Sequence, residues 1–159
     1  MSGLEANRYT GSDHVDIMKE IEHASSRYEV PLDSLSPNQA EAMRTLGELA
    51  NLPQNWDGYG SPPPTRAALR LVMDVLLCID DRSLPSARVV PVSSGGIQLE
   101  WRVSPRELQL EISGDGSAQY LQLENGLPLR EEEMASLTMD RARSLAIWLI
   151  PGRSQKWAA

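Results

Sequence analysis

Asp57 sits in the string Asn55-Trp56-Asp57-Gly58-Tyr59-Gly60, followed by Ser61-Pro62-Pro63-Pro64, the densest collection of groups in the chain that could do chemistry. A carboxylate flanked by two aromatic rings can move a proton, and the rings can grip a ligand or a partner's side chain. The structural alternative is an anchored connection in which Asp57 bonds nearby backbone amides while Trp56 and Tyr59 fold onto the core. No base or metal ligand lies close in sequence to complete a reactive site, which favours the structural alternative.

A second carboxylate group emerges from strand register. Pairing Val103 with Leu108, Trp101 with Leu110 and Leu99 with Ile112 keeps apolar side chains on one face. Centring the next turn on Asp115-Gly116 pairs Leu110 with Leu121 and Leu108 with Leu123. This register sets Glu100 opposite Glu111 and Glu111 opposite Tyr120, with Arg102, Gln109 and Gln122 on the same polar face. Opposed like charges are unfavourable in a sheet, so an arginine, solvent or a cationic partner should compensate them. Paired carboxylates can also perform acid and base chemistry or bind a divalent ion, whereas the plain reading is a solvated sheet face.

Other reactive residue types are sparse. His14 and His23 lack a spaced carboxylate or cysteine that would complete a metal site. Cys78 is the single cysteine, so an internal disulfide is excluded, and its apolar helical surroundings read as a small buried hydrophobe. No Ser/His/Asp order, Cys/His pair or phosphate-cradling glycine loop is present, and no catalytic residue, metal or cofactor is assigned.

The elements that must position these residues are an α+β set. Ser36, Pro37 and Gln39 form a capping-box start for a helix with Ala42, Met43, Leu46, Leu49 and Ala50 on its apolar face. Prolines and glycines fill the loop Pro53–Pro64. A helix from Thr65 to Asp80 carries the widest apolar stripe and should be the central core helix. From Val89 the period becomes two, giving four strands in an antiparallel meander with Pro91 pointing outward from an edge strand. The segment Pro128–Ile150 reads as a helix with Glu131, Glu132 and Glu133 in its positive first turn. The expected architecture is a four-stranded meander with about three helices on one face.

In domain terms, residues 1–35 form a polar arm, for which a helix over Ser12–Tyr28 and disorder are competing readings. Residues 36–151 form one domain, and 152–159 a tail. The arm, poor in large apolar side chains, is expected to add little stability. The 159 residues are 41% hydrophobic and 23% charged, ordinary globular usage. The net charge of -7 repels phosphate backbones and anionic lipid, arguing against nucleic-acid and membrane partners. Met1–Thr10 lacks the basic and apolar regions of an export signal, so a cytoplasmic location is expected.

The Asn-Trp-Asp-Gly-Tyr-Gly-x-Pro-Pro loop is followed by Arg88-Val89-Val90-Pro91, Gly95-Gly96-Ile97-Gln98-Leu99-Glu100-Trp101 and Glu107-Leu108-Gln109-Leu110-Glu111-Ile112. Together these strings, spanning Leu52–Leu121, resemble a group of small uncharacterised bacterial and phage proteins. The resemblance implies a shared domain and a bacterial or phage origin, and it brings no activity with it. The function expected from the residues is a non-enzymatic acidic module: an adaptor, inhibitor or antitoxin-like partner of a more basic protein. It would bind through Glu100, Glu111, Tyr120 and Arg102, or through Trp56, Asp57 and Tyr59. The alternative is a small carboxylate-dependent hydrolase using Glu100 and Glu111 or Asp57. A weaker one is an acidic mimic of nucleic acid.

Overall fold

Ser36 opens the second helix as its sequence dictates. Its hydroxyl accepts from the Gln39 amide at 3.1 Å, while Gln39 Oε1 accepts from the Ser36 amide at 3.0 Å. In the computed structural model, which describes residues 16–79 and 82–153, the helices are α1 (Ile17–Arg27), α2 (Pro37–Ala50), α3 (Arg66–Cys78) and α4 (Met139–Trp148). The strands are β1 (Arg88–Val92), β2 (Gly96–Val103), β3 (Arg106–Ile112), β4 (Ala118–Glu124) and β5 (Leu127–Met134). They form one antiparallel sheet in chain order.

The core lies between this sheet and the helices. α3 buries Ala68, Leu69, Val72, Met73, Val75, Leu76 and Leu77, and it packs on β2 and β3 with α1, α2 and α4 beside it. The covered sheet face presents Val89, Ile97, Leu99, Trp101, Leu108, Leu110, Ile112, Ala118 and Tyr120. Trp101 is only 4% exposed and borders a gap of about 20 Å³ shared with Gln39, Ala42, Leu76, Leu84 and Ala87. The expected central helix is therefore present, and the α+β class holds with one more strand and one more helix than expected.

The extra strand replaces the start of the expected last helix. Asn125 and Gly126 adopt φ of 53° and 75°, the left-handed pair that a tight hairpin needs, and Glu124 pairs with Leu127 across them. Glu131–Glu133 thus lie on an edge strand and not in a helical first turn. The helix begins only at Met139, where Thr138 accepts from the Arg141 amide at 3.2 Å. Leu137, Leu145 and Leu149 are buried, as that reading required, while Met134 and Trp148 are partly covered.

Two hairpin turns change the register. Between β2 and β3 the loop is Ser104-Pro105 alone, joined by a cis peptide bond, so Trp101 pairs with Leu108 and Leu99 with Leu110. That two-residue slip keeps every side chain on its expected face. Between β3 and β4 the loop is Gly114-Asp115-Gly116, with the Ser113 amide donating to the Ser117 carbonyl at 2.8 Å. One added loop residue slides β4 by one position, which turns its side chains to the other face. Leu110 consequently pairs with Tyr120 and Leu108 with Gln122. Pro91 pairs with Ile97 and shares the covered face with Val89, so the edge position is right and the outward direction is not.

The first helix is more firmly held than its thin apolar stripe suggests. Ile21 and Ala24 are buried in the common core, and α1 packs on α3. Its cap is Asp16, which accepts from the Lys19 amide, whereas Ser12, where the helical reading of the arm begins, lies outside the described residues, as do His14 and Asp80.

Candidate functional site

The proline-rich loop closes on itself through its own polar side chains. Asn55, Gly58 and Gly60 take left-handed backbone angles, folding the chain so that the Asn55 amide donates to the Ser61 carbonyl at 2.8 Å. Asn55 Oδ1 accepts from the Gly60 amide at 2.6 Å, and the Trp56 indole donates to the Pro62 carbonyl at 2.9 Å. Asp57 Oδ1 accepts from the amides of Tyr59 at 2.9 Å and Ser61 at 3.2 Å, and its Oδ2 accepts from the Ser61 hydroxyl at 2.5 Å. The Ser61 hydroxyl and the Tyr59 amide together hold the Asp57 carboxyl below its ordinary range.

The loop is also fastened to the sheet. Thr65 donates its amide to the Gly95 carbonyl at 2.9 Å and its hydroxyl to the Gly114 carbonyl at 2.7 Å, while capping α3 through the Ala68 amide. It therefore ties the loop to the turns that end both β1–β2 and β3–β4. Within this anchored frame the Tyr59 ring is 93% exposed, the most exposed large apolar side chain among the described residues. Trp56 is half-covered, its indole tied to the Pro62 carbonyl, while Tyr59 faces solvent.

On the sheet, the expected Glu100/Glu111/Tyr120 patch does not assemble. Glu100 pairs with Gln109 and Arg88, and Glu111 pairs with Gln98 and Gln119. Arg88 donates to Glu100 at 2.9 Å, Gln98 donates to it at 2.7 Å, and Gln119 donates to Glu111 at 3.3 Å. Arg102 donates to Glu107 at 3.1 Å. Glu100 is thus ion-paired and Glu111 lies opposite two glutamines, so the direct Glu100–Glu111 opposition that pointed to a cationic partner is absent. Tyr120, 1% exposed, and Gln122 belong to the covered face.

Tyr120 instead joins a cluster that sequence reasoning missed. Its hydroxyl donates to Glu132 at 2.8 Å, and Arg141 donates to both the Tyr120 oxygen at 2.9 Å and Glu132 at 2.8 Å. Burial, reinforced by the Glu132 carboxylate, pushes the phenol up, whereas the same hydrogen bond holds Glu132 down. The only sequence signal for this meeting is the Asn125-Gly126 turn, which makes Glu132 a neighbour of Tyr120. His23 is exposed on α1. Among the described residues, no three His, Cys, Asp or Glu side chains gather to hold a metal ion.

No protein-family model, curated protein or solved structure matches the chain.

Proposed function

We propose that the chain is a non-enzymatic docking module, an adaptor, inhibitor or antitoxin-like partner of a more basic bacterial or phage protein, with Tyr59 as its anchor. One observation carries this reading: a tyrosine ring 93% exposed on a loop whose polar side chains are occupied by the loop itself. Holding an aromatic ring in water loses its burial energy, and a partner's pocket would recover it. The surrounding bonds restrict the loop before binding, so less conformational entropy is lost on association. The net charge of -7 supports a basic partner through long-range steering.

The hydrolase reading has less support. Asp57 already accepts three hydrogen bonds and is held in its charged form, which suits a structural carboxylate better than a proton shuttle. Glu100 and Glu111 have separate partners. The test is capture from a bacterial host lysate by the wild-type protein and by Tyr59→Ala, at low and moderate salt. An anchor of this type should lose about 10- to 30-fold in affinity for whatever the wild type captures. Equal capture by the two proteins would overturn the anchor.

A further inference from the structure

The two edges of the sheet are unlike each other. β1 is five residues long and is packed by α2. β5 is eight residues long with seven of them exposed, and a bulge at Leu129 divides it, leaving Arg130–Met134 as its regular stretch. Leu127 and Leu129 are 70% and 57% exposed on it. Among the described residues no strand lies beyond β5, so the outer backbone groups of its regular stretch Arg130–Met134 face no neighbouring strand.

The side chains of β5 select what could pair there. It reads apolar first and acidic later: Leu127, Pro128, Leu129, Arg130, then Glu131, Glu132 and Glu133. Glu132 is taken by Tyr120 and Arg141, on the covered side. Glu131 and Glu133 pair in register with Leu121 and Gln119, on the open side, and neither has an ion pair among the described residues. A second copy is a poorer occupant, because each β5 carries three carboxylates against one guanidinium, a net negative strand that repels its duplicate at long range even though antiparallel pairing would set Arg130 beside Glu131. Each copy also carries -7 overall.

We infer that β5 accepts an added antiparallel strand from a partner protein, an extended segment with Lys or Arg two positions apart opposite Glu133 and Glu131, followed by apolar residues that meet the exposed Leu129 and Leu127 beyond the bulge. Strand addition supplies affinity through the backbone, and alternate side chains supply the choice of sequence. The antiparallel sense continues that of the existing ladders, and in that sense the partner reads basic first and apolar second. This names a mode of attachment for the basic partner proposed above and rests on that reading, while using a surface separate from Tyr59.

The test is a ten-residue peptide with lysines at positions 2 and 4 and valines at 6 and 8, titrated into the full chain while backbone amide exchange is followed. Binding should slow exchange in β5 and weaken at least 10-fold when the lysines become glutamates. Glu131→Lys combined with Glu133→Lys should reverse that preference, a change that a general loss of folding would not produce. Tyr59→Ala should leave peptide binding unaltered. No binding at millimolar peptide, equal binding of both peptides, protection elsewhere in the chain, or dimerisation through β5 would each overturn the inference. Tyr59-dependent lysate capture would survive those results, so the two proposals fail separately.

Discussion

Glu20 of α1 and Arg70 of α3 meet with the guanidinium Nε 2.7 Å from carboxylate Oε2, and Arg66, one helical turn earlier, donates to Oε1. Glu20 is 4% exposed, so this paired carboxylate fastens the first helix to the central one. Burial alone would raise its pKa, but the two guanidiniums outweigh that effect and hold it below its ordinary value of 4.5.

Glu20→Gln should therefore destabilise the fold by roughly 1–3 kcal/mol at neutral pH, because the charge-assisted hydrogen bonds are weakened while the arginines retain water. The sign with pH follows from linkage. A carboxylate whose folded pKa lies below its unfolded one contributes fully above about 4.5 and loses that contribution as pH falls through the folded value. The gap in melting temperature between wild type and Glu20→Gln should narrow on acidification from pH 6 to pH 3. A gap that is constant or grows would show that the ion pairs do not stabilise α1. Asp74, raised chiefly by burial, acts in the opposite direction, so the comparison with the variant isolates Glu20 better than the wild-type profile alone.

Truncation gives a related prediction. Removing residues up to Asp33 takes away Ile21 and Ala24 and leaves the α3 surface beneath them exposed, so the shortened chain should melt well below the full one. Two buried apolar residues and a paired carboxylate are more than the thin stripe of the arm implied. Equal melting temperatures would restore the view of a dispensable arm.

Trp101→Ala should cost roughly 3–5 kcal/mol, since its buried ring fills space between the sheet, α2 and the 84–87 segment and its removal leaves a cavity there. Denaturant unfolding of the two proteins gives the difference directly. A loss under about 1 kcal/mol would mean that the ring can leave without a cavity.

What was legible in the sequence, and what was not, divides on local signals. The Ser36–Gln39 capping box and the α3 stripe are written in residues three and four apart, and both appear as read. In β4, two apolar phases compete: Ala118 and Tyr120 on one face, Leu121 and Leu123 on the other. Hydrophobicity favours the leucines, but the three-residue turn at Gly114-Asp115-Gly116 selects the other phase. That single residue dissolves the expected Glu111–Tyr120 pair and sends Tyr120 to Glu132. The acidic run was ambiguous because three carboxylates suit a helix N-terminus as well as an exposed edge, and Asn125-Gly126 was the signal that decides between them. The Trp56/Asp57/Tyr59 loop was legible as a turn, whereas the outward direction of Tyr59 depends on bonds across the loop that residue types alone do not specify.

Cys78 should be slow to react. Burial raises its thiol to about 11, and the sulfur donates to the Val75 carbonyl at 3.2 Å, leaving little thiolate at neutral pH. Titration with a colorimetric disulfide reagent at pH 7.5 should show little modification over minutes in the native protein and rapid, complete modification in denaturant. Equal rates in the two states would place the sulfur in solvent.

Asp57 offers a sharper test of whether the loop presents a ring or performs a reaction. Its Oδ1 accepts from the Tyr59 and Ser61 amides, while Oδ2 accepts from the Ser61 hydroxyl. Asp57→Asn keeps one carbonyl oxygen for the two amides, and the Ser61 hydroxyl can rotate to accept from the new side-chain amide. Asp57→Ala removes every acceptor and should free the loop. If Tyr59 is an anchor held ready for a partner, Asp57→Asn should retain capture near the wild-type level and Asp57→Ala should approach the loss seen with Tyr59→Ala, with melting temperatures little changed. A carboxylate that transfers protons would give a different pattern, because asparagine cannot replace it and both substitutions would abolish turnover alike. Because the carboxyl is held below its ordinary value of 3.8, wild-type capture should also persist on acidification to about pH 4. A loss of capture in Asp57→Asn equal to that in Asp57→Ala would remove the case for a merely structural carboxylate and return Asp57 to the list of reactive groups.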